Sequence, residues 1–225
     1  MSQNLFREFS DTVEPHRIRC QKILVRYPEI KKLFGPAPST ALYVVAFVFL
    51  QMGLAVGVSS QPLWINLILA VFVGAVLDHG LWALIHECTH NLVFQRPKWN
   101  ASLQIFANIP HFFPSAIAFR RYHVLHHQNQ GNPEYDADVP SELEIRFTGR
   151  SALRKAIWLF FYFAFQSYRV TTLSKVKTFD RWMLANLIVG LACDILVGWL
   201  FGWQALFYLM LSSILSIGLH PVGAR

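Results

Sequence analysis

Residues 41–58 read ALYVVAFVFLQMGLAVGV and contain no charged side chain. A helix of about 20 such residues crosses the roughly 30 Å hydrocarbon core of a bilayer, and three further stretches qualify. Residues 61–77 carry no charge, and beyond Asp78 and His79 the apolar character resumes as far as Ile85. Residues 182–201 hold a single charge, Asp194, and residues 203–219 hold none. The expectation is an all-α membrane protein with about four transmembrane helices in two hairpins, 41–85 and 182–219. The first apolar run begins behind a polar arm of some 40 residues, so no cleavable signal peptide is expected.

Charge placement orients these hairpins. Of the 20 Lys and Arg residues, seven precede Ala41, twelve lie between His86 and Arg181, and the last is Arg225. The candidate turns at 59–62 and around Gly202 have none, so all the basic residues fall on one side of a four-helix arrangement. The positive-inside rule assigns that side to the cytoplasm. A nucleic-acid surface would account for the net charge of +7 but not for its segregation; no nucleic-acid partner is expected. The chain reads as one domain over residues 1–225, with residues 1–40 a cytoplasmic N-terminal arm.

Residues 86–181 should form a cytoplasmic layer beneath the hairpins. The aromatic run IWLFFYFAFQSY, 157–168, has basic residues on both sides, so a crossing would strand one flank in the lumen; an interfacial helix is expected. The stretch 103–119 is interrupted by Pro110 and Pro114 and should lie along the membrane. Cys20, Cys88 and Cys193 are dispersed and offer no disulfide framework.

The layer holds two histidine clusters, HECTH at 86–90 and YHVLHH at 122–127. Helical residues three and four apart share a face, so His86 and His90 can aim together, as can His123, His126 and His127. Five imidazoles beside a membrane at this spacing make a metal site, and imidazole suits iron, copper, zinc and nickel. All five are expected to converge. HECTH also satisfies H-E-x-x-H, the zinc-peptidase signature, but that signature does not call for H-x-x-H-H 33 residues later. His79 lies within about 40° of His86 and His90 around a straight helix; it is read as a ligand, a group supporting the ligands, or a hydrogen-bond partner of Asp78. His220, at the end of the fourth apolar run, has the same two metal-related options. Asp136 and Asp138 either bond the outer nitrogens of ligand histidines or occupy a solvated turn. Glu87 points away from the His86 face and is read as supporting rather than ligating. Asp194 is read as a polar contact between helices and His111 as interfacial packing.

The two histidine boxes resemble those of the membrane-bound fatty-acyl desaturases and hydroxylases. Within that family the chain is most similar to the sphingolipid Δ4-desaturases, through RYPEIKKLFGPAP (26–38), WN (99–100), FANIP (106–110), DADVP (136–140) and GLHP (218–221). The resemblance implies a non-haem enzyme with two irons in the complete family site, taking O2 as co-substrate and electrons from a cytochrome b5-type donor. It implies a dihydroceramide-type lipid substrate and a trans Δ4 double bond as product. A related acyl-lipid desaturase, a C4-hydroxylase, and an inactive metal-binding membrane protein remain open alongside it. The location implied is integral and multi-pass, in the endoplasmic reticulum of a eukaryote or the inner membrane of a bacterium. The family's third box, a further H-x2-H-H, would follow GLHP, whereas the sequence reaches Arg225 first. The resemblance therefore implies a family domain missing its C-terminal part, with activity of the 225-residue form alone not expected.

Overall fold

The charge-free run 41–58 lies within helix α2 (Thr40–Val58), which ends where Ser59 turns its hydroxyl back onto the Val56 carbonyl at 2.6 Å. Pro62 then fixes φ for a new helix start. From Leu63 to Thr89 the chain is helical for 27 residues, as α3 (Leu63–Leu69), a π-helical turn at Ala70–Gly74, and α4 (Ala75–Thr89). The computed structural model describes residues 15–173, 176 and 179–218, with side chains from residue 18 onward. No strand occurs among these residues. Contacts divide the chain into two units, residues 1–36 and 37–225. The first contains α1 (Pro15–Arg26) and a short 3-10 turn, Pro28–Leu33. Everything below concerns the second.

Among the described residues, three helices are long and apolar enough to cross a membrane: α2, the continuous Leu63–Thr89 helix, and α10 (Arg181–Phe201). The fourth apolar run is helical over Trp203–Leu215, which we term α11; at 13 residues it is shorter than the other three. Large apolar side chains point outward from these helices, among them Leu42, Phe49, Phe72, Ile188, Ile195 and Trp199. Helices that are apolar both toward their neighbours and outward belong in lipid. The chain is a membrane protein.

The turns lacking Lys and Arg come together. Asn66, one turn into α3, donates its amide to the Gln204 carbonyl at 2.9 Å, joining the 59–62 turn to the α10–α11 turn. Gly202 makes that second turn at φ +80°, a conformation that costs residues with a Cβ and is free for glycine.

Polar side chains knit the helices internally. Asp78 accepts from Gln51 at 3.0 Å and from Ser213 at 2.9 Å, Gln51 accepts from Tyr208 at 3.1 Å, and the Phe112 N–H donates to Ser213 at 3.0 Å. His111 is buried rather than interfacial: it bonds the Asp78 carbonyl at 3.2 Å and sets its edge against Trp82. In an apolar medium such groups are tolerated only when paired. Gly74, the last residue of the π turn, lets α11 approach, because a Cβ there would run into Ser212 Oγ and Tyr208 Oη. Gly74→Ala is expected to destabilise the helical unit by about 1–3 kcal/mol, the usual range for overpacking. Thermal unfolding in detergent checks this, and an unchanged midpoint would show that α11 shifts freely.

The layer expected between residues 86 and 181 is a set of short helices: α5 (Pro97–Ala107), α6 (Ala116–Gln128), α7 (Glu142–Thr148), α8 (Ala152–Phe160) and α9 (Tyr162–Thr172). The aromatic run 157–168 is broken at Phe161, so it is two helices rather than one. The prolines interrupt 103–119 between Ala107 and Ala116 as expected. The broken segment is held by Asn108, whose Oδ1 accepts from Ala116 N at 2.8 Å and from Asn186 of α10 at 3.0 Å.

Candidate metal centre

Helix α4 ends at Thr89, so His86 sits in its last turn and His90 caps it. Helix α6 starts at Ala116 and carries His123, His126 and His127 on its final turns. Arg120 joins the two helix ends: it donates to the Cys88 carbonyl at 2.9 Å, to Gln104 Oε1 at 3.0 Å and to Asn91 Oδ1 at 2.6 Å. Asn91 holds φ +58°, the left-handed region that Asn tolerates better than most residues. Arg120 thereby gives the Cys88 carbonyl, in the last turn of α4, a second donor beside the Asn91 N–H and sets the register between the boxes.

That register brings four imidazoles together. One ring nitrogen from each of His86, His90, His123 and His127 lies within 4.8 Å of all the others. His123 is central, its Nε2 at 3.1 Å from His90 Nε2 and 3.0 Å from His127 Nε2. Burial, and after it the neighbouring imidazoles, push the His123 ring down to about 4 and lower His90 as well. Both rings are therefore neutral near pH 7, with lone pairs to offer. Lone pairs this close repel unless a proton or a cation lies between them. Ligands at right angles around a metal at roughly 2.1 Å are themselves about 3.0 Å apart, so the donor set fits a nitrogen-ligated ion.

His126 departs from the expected convergence. Its Nδ1 bonds Asp136 Oδ1 at 2.8 Å and lies 3.5 Å from Asp138 Oδ2, so it groups with the two aspartates instead. The cause is the 129–140 loop, which folds back over α6 with Asp136 buried and further bonded to the N–H groups of Gly131 and Asp138. The ring still adjoins the cluster, its centroid 5.4 Å from that of His127. His79 is not among the four, and its partner is not Asp78: its Nδ1 lies 3.0 Å from the Ser216 carbonyl. Glu87 Oε1 is 3.5 Å from His86 Nδ1, beside the cluster. His220 lies outside the described residues. Asp194 is half-buried on α10.

An apolar cavity of about 420 Å³ opens against the cluster, with His79, Phe119, His123, His126, Tyr162 and Phe163 in its wall. The motifs announced the histidines but not Arg120 or Gln104, which join the boxes; an arginine one turn before a histidine box is the only sequence signal for that role.

Residues 62–223 match the family described as Fatty acid desaturase, and residues 8–39 match that described as Sphingolipid Delta4-desaturase. A protein of Oryza sativa subsp. japonica named sphingolipid delta(4)-desaturase DES1-like is 38% identical over 226 residues, covering 100% of this chain and 67% of that protein. The Homo sapiens sphingolipid delta(4)-desaturase DES1 is 33% identical over 221 residues, covering 97% and 68%. This chain belongs to the sphingolipid Δ4-desaturases of the fatty acid desaturase family. A third desaturase relative, from Caenorhabditis elegans, is named putative sphingolipid delta(4)-desaturase/C4-monooxygenase and is 35% identical over 227 residues, covering 98% and 62%. The desaturase chain thus spans about two thirds of the length of these relatives. No solved structure matches it. As a member of this family the protein is an enzyme.

Proposed function

We propose that this desaturase introduces a trans double bond at C4 of the sphingoid chain of a dihydroceramide-type membrane lipid, using O2. The observation that carries the reading is the convergence of His86, His90, His123 and His127, the third of which also stands in the wall of an apolar cavity. A cavity that accepts a hydrocarbon chain beside a nitrogen donor set suits C–H chemistry and not peptide hydrolysis. The metal is iron, two ions in the complete family site, with electrons from a cytochrome b5-type donor. Bound iron together with O2 would supply the oxidant needed to break an unactivated C–H bond.

The residues of the chain have separable tasks. His86, His90, His123 and His127 supply nitrogen ligands, and His126 is a further ligand through Nε2. Asp136 fixes the His126 tautomer by accepting from Nδ1, the arrangement that commonly orients ligand imidazoles. Asp138 supports the same ring, and His79 and His220 are candidate ligands or supporting groups. Phe119, Tyr162 and Phe163 keep water from the reacting carbons.

The enzyme is multi-pass, with α10 and α11 forming a second hairpin and the histidine layer facing the cytoplasm. Its membrane is that of the endoplasmic reticulum in a eukaryote or the inner membrane in a bacterium. The turns joined through Asn66 and Gln204 support this reading, because they carry no Lys or Arg and mark one end of both hairpins. Residues 1–225 are taken as one domain, of which residues 1–40 form a cytoplasmic arm.

A second reading, C4-hydroxylation, is favoured by the name of the C. elegans relative, which includes a C4-monooxygenase. The test is expression in cells lacking Δ4-unsaturated ceramide. The chain is supplied alone and fused to the C-terminal third of the rice relative, each with a cytochrome b5-type donor. The expected result is Δ4-unsaturated ceramide from the fusion, and none from a fusion carrying His123→Ala. Only 4-hydroxylated product would favour the second reading, and no lipid product would refute both.

A further inference from the structure

Gln166, on α9, lines the apolar cavity together with His123 and His126. Its Nε2 donates to Asp138 Oδ1 at 3.2 Å. That contact determines which way the amide faces, because a carboxylate accepts from an N–H and repels a carbonyl oxygen. The amide oxygen must therefore point away from Asp138. Gln166 Oε1 is buried and meets no hydrogen-bond donor among the described residues. A buried acceptor left without a donor costs about 1–3 kcal/mol, and a donor carried by a bound ligand removes that cost.

Position narrows the ligand. Asp138 links Gln166 to the histidines, with its other oxygen 3.5 Å from His126 Nδ1. The Gln166 amide thus sits toward the histidine end of a cavity whose walls are otherwise mainly apolar. A group it recognises must be a donor on the carbon chain very near the reacting carbons. A plain acyl chain has no such donor, whereas a sphingoid chain carries a hydroxyl on C3, next to C4.

Resting on the lipid reading above, we propose that Gln166 accepts a hydrogen bond from the C3 hydroxyl of the bound lipid. In this role it positions C4 against the histidine cluster and selects hydroxylated sphingoid chains over plain ones. Asp138 orients the glutamine amide while supporting His126, so one carboxylate couples substrate placement to ligand placement.

The test is equilibrium binding to the purified 225-residue chain in lipid nanodiscs, with dihydroceramide and its 3-deoxy analogue as the two probes. The parent chain is expected to prefer dihydroceramide by about tenfold, which corresponds to about 1.4 kcal/mol. In Gln166→Met and Gln166→Leu the preference should fall to below twofold while the 3-deoxy lipid binds as before. That retained affinity shows the variants are folded. A parent chain that binds both lipids equally, or a variant that keeps the preference, overturns the role of Gln166 and leaves the lipid cavity standing. A parent chain that binds neither lipid overturns both.

Discussion

Alanine at position 123 should strip the metal from the purified protein. The parent chain is expected to retain about one iron, because four converging imidazoles fill the nitrogen ligation of a single ion. His123 is the ring the others surround, with nitrogen contacts to His90 and His127 and a centroid 4.6 Å from that of His86. Removing it leaves the remaining rings on two separate helix ends without their common neighbour. Loss of a mere supporting hydrogen bond typically lowers metal affinity by about 10–100-fold, and loss of the central ligand should exceed that. Iron measured by elemental analysis after gel filtration should fall below about a tenth of the parent value. Asp136→Asn provides the intermediate case, since it removes none of the four clustered imidazoles and weakens the support of His126 together with the loop contacts to Gly131 and Asp138. Unchanged iron in the alanine variant would mean that the four imidazoles are not the metal site.

The second large effect is expected where no chemistry occurs. Glu144 and Arg169 are 2% and 5% exposed at their side chains and lie 3.0 Å apart. Glu144 also accepts from Trp158 Nε1 at 2.9 Å and from the Ser141 hydroxyl at 2.8 Å, while Arg169 donates to the Ala137 carbonyl at 3.0 Å. The pair ties α7, α8 and α9 to the loop that carries Asp136 and Asp138. Breaking a buried pair from one side costs about 3–5 kcal/mol, because the surviving charge is left unpaired in a dry site. Arg169→Met should lower stability by that amount, and adding Glu144→Leu should recover part of it. A double-mutant cycle on unfolding midpoints measures the coupling, and a cost below about 1 kcal/mol for Arg169→Met would show that water reaches the site.

The same carboxylate predicts a pH dependence. Burial alone would raise Glu144, but the Ser141 N–H, Trp158, the Ser141 hydroxyl and Arg169 together outweigh it and hold the carboxyl below its usual range. A depressed folded value stabilises the protein above the unfolded value of about 4.3 and ceases to do so as pH falls through the folded one. Stability should therefore drop below about pH 4 in the parent and drop less in Glu144→Leu.

Much of this protein could be read without coordinates. The apolar runs are long and uncharged enough that lipid is the only medium in which they are stable. The spacing of His86 and His90, and of His123, His126 and His127, puts each set on one helical face, and the motif blocks identify the family. These are local properties, carried by periodicity and composition within a few turns of chain. What required the tertiary structure depends on separations of tens of residues. His126 left the expected cluster because Asp136, ten positions away, folds back onto it. His79 found Ser216 across the bundle rather than its neighbour Asp78. A single aromatic stretch became two helices at Phe161. Arg120 and Gln166 acquired roles because folding places particular carbonyls and carboxylates within hydrogen-bond reach of them. A side chain's periodicity determines the face it occupies, but its partner depends on how distant segments pack, and that packing places one group on Asp138 and leaves the oxygen of Gln166 without a donor.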